Sequence, residues 1–170
     1  MTPIDYIRRG FSLVPIPRGQ KKSAITGWQN FSAAIEDTPR LFGNGENIAV
    51  RLGSRSGWLT DLDFDCREAC ELADLYLPAT GAVFGRKSKP RSHWLYVAPG
   101  AVFETFSDPI SGEMLLELRA DGRDGGAQLS LLPPSITDVS GENGTAMSLP
   151  RGRSTHARCG LLRAGLQLVA

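Results

Sequence analysis

The sequence carries almost no net charge: 19 Lys and Arg against 18 Asp and Glu leave +1 over 170 residues. A polyanionic partner must therefore be met by a local basic patch, because the protein as a whole is not basic. No run of about 18 apolar residues occurs, which argues against a transmembrane helix. The N-terminus has no basic segment leading into an apolar stretch, so no secretory leader is expected and the reading is cytoplasmic. Cysteine is scarce. Cys66, Cys70 and Cys159 are too few and too scattered for a disulfide framework. The first two stand four apart with no Cys-x-x-Cys pair and no neighbouring His, which argues against zinc and for reduced helix residues. Histidine is scarcer still, with only His93 and His156, and this weighs against a His-rich metal centre or a histidine-tyrosine nicking site.

What remains is a chain long enough for one domain with a real core, or one domain of two lobes. Thr2-Pro3 predicts a helix start and Gly10 its stop. Strands are predicted at Phe11 to Pro15, Asn47 to Leu52, Trp58 to Asp65, Ala82 to Phe84, Ser92 to Ala98, Met114 to Arg119 and Gln128 to Leu132. A short helix is placed at Phe31 to Ile35. A longer one runs from Cys66 to Tyr76, where Cys66, Ala69, Cys70, Ala73 and Leu77 recur at helical spacing before Pro78. Strands dominate and helices punctuate them, so the expected class is α+β with a mostly antiparallel sheet. Residues 1–140 are read as the functional domain. Residues 141–170, rich in Gly, Ser, Arg and Ala, are read as a separate tail with a short helix at Leu161 to Val169.

The most informative segment is Trp58-Leu59-Thr60-Asp61-Leu62-Asp63-Phe64-Asp65. In a strand, residues two apart share a face, so Asp61 and Asp63 point the same way, about 7 Å apart. Carboxylates that close repel, and a hard divalent cation between them removes the repulsion. The plainer alternative is a solvated acid pair on a strand edge. Glu117, in Met114-Leu115-Leu116-Glu117-Leu118-Arg119, shares a strand face with Leu115 and Arg119. It belongs to a wet sheet face, unless its strand neighbours that of Asp61. Three carboxylates could then hold two ions about 3.5–4 Å apart, which activate a 3′-hydroxyl and stabilise leaving pyrophosphate.

Between these acids lies Gly85-Arg86-Lys87-Ser88-Lys89-Pro90-Arg91-Ser92-His93, with four cations within six residues. Most such runs are solvated loops. This one leads into a hydroxyl and an imidazole at a strand mouth, a combination suited to a triphosphate.

An acid-x-acid strand, then a Ser-His strand, then an acid in a third strand resembles the archaeo-eukaryotic primase superfamily, and most closely its bifunctional DNA primase/polymerase branch. The resemblance extends to Tyr6, Gly10-Phe11, Val14-Pro15, Lys21 or Lys22, and Trp28. It continues through Asn47-Ile48-Ala49-Val50 with Gly53, and Gly125-Gly126-Ala127-Gln128 to Pro133-Pro134-Ser135, covering about residues 3–140. It implies an RRM-like sheet carrying the acids beside an N-terminal α/β lobe. Asp61, Asp63 and Glu117 would bind Mg²⁺ or Mn²⁺, and Ser92 and His93 would meet the incoming triphosphate. Arg86, Lys87 and Arg119 carry over as phosphate or template contacts, and Asp65 as an outer acid.

The implied activity is template-dependent nucleotidyl transfer in plasmid, phage or mobile-element replication. Nucleoside triphosphates and single-stranded or primed DNA would be its substrates. A helicase or helical primase domain, in trans or in a longer version, is an expected partner. The family commonly has aspartate where Glu117 stands, and often small residues where Arg91-Ser92 stands. The segment from Gly144 does not resemble the family's continuation. Two other activities fit the same residues: a metal-dependent nuclease or cyclase on a similar sheet, and a non-catalytic single-stranded DNA-binding initiator module with Trp94 and Tyr96 stacking on bases.

Overall fold

The computed structural model describes residues 1–137 and the backbone of 155–156. The α+β class stands: two antiparallel sheets face each other, with short helices outside them. The smaller sheet has the order β1-β2-β8, built from β1 (Ser12–Ile16), β2 (Asn47–Arg51) and β8 (Leu129–Leu132). The larger has the order β4-β5-β3-β7-β6, built from β3 (Leu59–Phe64), β4 (Val83–Arg86), β5 (Lys89–Val97), β6 (Glu104–Ser107) and β7 (Met114–Arg119). A two-residue strand, β9 (Thr155–His156), pairs parallel with Tyr96 and Val97 of β5.

Helix α1 (Pro3–Ile7) starts at a reciprocal cap. The Thr2 hydroxyl accepts from the Asp5 amide at 3.3 Å, and the Asp5 carboxylate accepts from the Thr2 amide at 2.7 Å. Helix α3 (Arg67–Tyr76) begins where expected and buries Ala69 and Ala73. These pack on the face of the larger sheet formed by Leu62, Phe64, Trp94, Tyr96, Leu116 and Leu118. A second core fills the space between the sheets, with Leu13, Ile48, Val50 and Leu132 on one side and Leu59, Phe84 and Leu95 on the other.

Three expectations differ from the structure. No helix forms at 31–35. A 3-10 turn occupies Trp28–Asn30, and helix α2 (Thr38–Phe42) follows, because Pro39 at its first turn is preset for helix while residues 31–34 form no regular structure. Strand β6 was not expected, since Glu-Thr-Phe-Ser is short, half-exposed and lies at a sheet edge. The expected single sheet is two, and the strand predicted at Gln128 to Leu132 forms β8, which pairs with β2 in the smaller one. The predicted helix at Leu161 to Val169 lies outside the described residues. Among the described residues, no helix is long and apolar enough to cross a membrane.

Candidate active site

Strand β3 lies in the middle of the larger sheet, and all six of its residues are buried. Its alternation sends Leu62 and Phe64 toward α3 and leaves Asp61 and Asp63 for the face that meets the smaller sheet. The register then composes the site. Asp63 stands opposite His93 of β5 on one side and Glu117 of β7 on the other. Asp61 stands opposite Leu95 and Arg119. Asp61, Asp63, His93, Glu117 and Arg119 therefore share one face of three adjacent strands.

Asp61 is fully buried. Its Oδ2 lies 2.9 Å from His93 Nδ1 and accepts from the Ser130 hydroxyl at 2.5 Å. Its Oδ1 is buried with no hydrogen-bond partner among the described residues. Burial alone would raise the pKa of this carboxyl, but the charge and hydrogen bond of His93 outweigh it and hold the acid below its ordinary value. Burial likewise works against charge on His93, yet Asp61 and then Asp63 raise its pKa above the usual histidine range. Its ring stacks on Phe84 at 4.9 Å between centroids. Asp63 is raised by burial first and by the nearby Asp61 charge, with His93 and Arg119 offsetting in part. Arg119 Nη2 lies 2.7 Å from Asp63 Oδ2 and 2.5 Å from Glu117 Oε2.

Beside the acids lies a cavity of about 250 Å³, with Lys21, Arg86, Lys89 and Arg119 as its cations and Ser92, His93 and Asp63 among its polar walls. Ala49, Leu129 and Leu131 supply apolar wall. The pKa of Lys21 is lowered, first by burial and then by Arg86, the effect expected where like charges crowd a cleft. Asn47 fixes its loop: Nδ2 donates to the Gln20 carbonyl at 3.0 Å and to the Ile136 carbonyl at 2.6 Å, while Oδ1 accepts from the Ile136 amide at 2.7 Å.

The basic run folds as the β4–β5 hairpin and divides its cations. Arg86 and Lys89 line the cavity, and Lys89 pairs with Asp65 at 2.9 Å. Lys87 sits in the hairpin turn and is not among the lining residues. Arg91, in a left-handed backbone conformation at φ 60°, turns away to grip both oxygens of Asp74 on α3 at 2.8 Å and to cover the Trp94 ring. Gly85 faces the bulged part of this hairpin, where a Cβ would collide with the backbone of Lys89 and Arg91. Trp94 and Tyr96 are 2% and 0% exposed, so neither presents a stacking surface.

The sequence singled out Asp61, Asp63, Glu117, Ser92, His93, Arg86, Lys87 and Arg119; the structure gathers all but Lys87 around one cleft. Glu117 reaches it through Arg119. Among the described residues no three acidic, histidine or cysteine side chains close on a common point as they stand, and Arg119 lies between Asp63 and Glu117. Lys89 was within reach as part of the basic run, and Lys21 as one of a basic pair. Ser130 gave no signal, since its role depends on where β8 docks.

Among curated proteins no relative matches the chain. A family model does match, over residues 3–155, and its description is the N-terminal domain of bifunctional DNA primase/polymerases. With nearly the whole chain matched, the protein belongs to the bifunctional DNA primase/polymerase N-terminal family.

Proposed function

We propose that this chain adds nucleotides to the 3′ end of a primer along a DNA strand, with Mg²⁺ or Mn²⁺ held by Asp61, Asp63 and Glu117. One observation carries the reading: two acids on the central strand share a face with Glu117, directly beside a cation-lined cavity. The donor set fits a hard cation, being carboxylate oxygen throughout, and it includes a buried Asp61 oxygen with no hydrogen-bond partner among the described residues. Ions bound there would polarise the α-phosphate and favour the alkoxide form of the primer hydroxyl.

The remaining work falls to the chain itself. Lys21, Arg86 and Lys89 neutralise a triphosphate, and Ser92 lines the cavity beside them. Asp61 engages His93 Nδ1, which favours the charged ring, orients it and leaves Nε2 to donate to a phosphate oxygen. The apolar wall of Ala49, Leu129 and Leu131 limits water around these charges. Replication of a plasmid, phage or other mobile element is the setting this chemistry suits.

A primed template, Mn²⁺ and labelled deoxynucleotides test the reading. Primer elongation is expected. Asp61→Asn with Asp63→Asn should lower its rate about 10³-fold or more, because metal charge stabilisation is worth several kcal/mol. Shortening of the primer would indicate a nuclease. Retention of the strand with neither outcome would indicate a binding module.

A further inference from the structure

Arg119 lies at the boundary between the acidic and basic halves of the cleft. One nitrogen, Nη2, contacts both Asp63 and Glu117, and Nε donates to Glu117 at 2.6 Å. The same side chain lines the cavity with Lys21, Arg86 and Lys89. It is 25% exposed and carried on a long stem, so it can turn from one half to the other without moving β7. It holds one oxygen of each carboxylate, Asp63 Oδ2 and Glu117 Oε2. A divalent cation bridging the two acids competes for these oxygens and is repelled by the guanidinium charge beside them.

Resting on the reading that these acids hold divalent ions, we infer that Arg119 is a placeholder counter-ion. It occupies Asp63 and Glu117 until metal and triphosphate arrive, then transfers to the phosphates. The inference adds a coupling to the reaction. Metal alone must displace Arg119 into a cleft already crowded with positive charge. Metal with triphosphate displaces it toward a new anionic partner. Metal and nucleotide therefore bind synergistically, and each raises the affinity of the other by the same factor.

The test compares the wild-type chain with Arg119→Gln and Arg119→Lys. With Mn²⁺ alone as the probe, binding read by electron paramagnetic resonance should tighten about tenfold or more in Arg119→Gln, the equivalent of one lost charge-assisted hydrogen bond. The rise in melting temperature on adding Mn²⁺ should also be larger in this variant than in wild type. At saturating Mn²⁺, its affinity for a non-hydrolysable deoxynucleoside triphosphate should instead fall about tenfold. Arg119→Lys keeps the charge and should shift both affinities in the same senses by less. A structural role would weaken both ligands, so opposite signs are the signature.

Mn²⁺ binding in wild type with no tightening in either variant would overturn the placeholder and leave the acid site standing. Unchanged triphosphate affinity in Arg119→Gln would overturn it as well. Absence of Mn²⁺ binding in all three proteins, with and without nucleotide, would overturn both the placeholder and the metal reading. If Arg119→Gln does not melt cooperatively without metal, Mn²⁺ should restore the transition. Failure to restore it, with Arg119→Lys indistinguishable from wild type, would again overturn the inference.

Discussion

His93 serves two neighbours at once, and removing it shows what each acid requires. Its ring bridges a fully buried Asp61 and a nearly buried Asp63, and it stacks on Phe84. His93→Ala would leave the Asp61 charge inside the protein with only the Ser130 hydroxyl as partner. Stability should fall by about 3 kcal/mol, the scale for stranding one member of a buried charged pair. A phosphate role adds a second effect: a higher apparent KM for nucleotide and lower turnover, measured well below the variant's melting temperature. A stability loss with KM unchanged would leave His93 as a structural residue only. At this scale the sequence was informative because strand alternation is strict. Period two alone placed Asp61 with Asp63 and Glu117 with Arg119. The contacts among them were not legible, because a one-dimensional pattern contains no register. Ser130, 69 residues from Asp61 along the chain, is the clearest case.

Among the elements, the β4–β5 hairpin is the most exposed to a small change. Gly85 leaves room for the backbone of Lys89 and Arg91, which any side chain there would strike. Because the obstacle is backbone and not a flexible side chain, Gly85→Ala must shift the hairpin, carrying Arg86 and Lys89 with it. The expected outcome is a modest fall in melting temperature. With it comes a rise of about tenfold in nucleotide KM, as for one weakened charge-assisted contact. A melting-temperature change without any KM change would show that this hairpin does not present the cations to substrate. Elements with strong periodicity and caps, such as α1 and α3, were readable before the fold was known. Helix α2 and strand β6 were not, since α2 starts without a side-chain cap and β6 is a half-exposed edge strand with no buried face to mark it.

At the scale of the whole molecule, the two sheets close on one another around the cation-lined cavity of about 250 Å³, and the proposed function assigns one incoming triphosphate to it. Extension needs one triphosphate beside a paired 3′ end. Initiation must order two free nucleotides on a template without a duplex, at a greater entropic cost. Primed templates should therefore be elongated much faster than unprimed single strands are copied by the same preparation. Dinucleotide synthesis at the extension rate would contradict this. The architecture also has a temporal side. Strand β8 closes the smaller sheet, Ser130 touches the acid at its centre, and Tyr6 donates to the Pro133 carbonyl 127 residues away. These joins span 127 and 69 residues of sequence, so closing them carries a large loop-entropy cost. A nascent polypeptide stopped short of residue 129 leaves β2 with a bare edge and Asp61 without its hydroxyl. Interrupted synthesis thus yields a fragment with an unpaired strand edge, a template for aggregation.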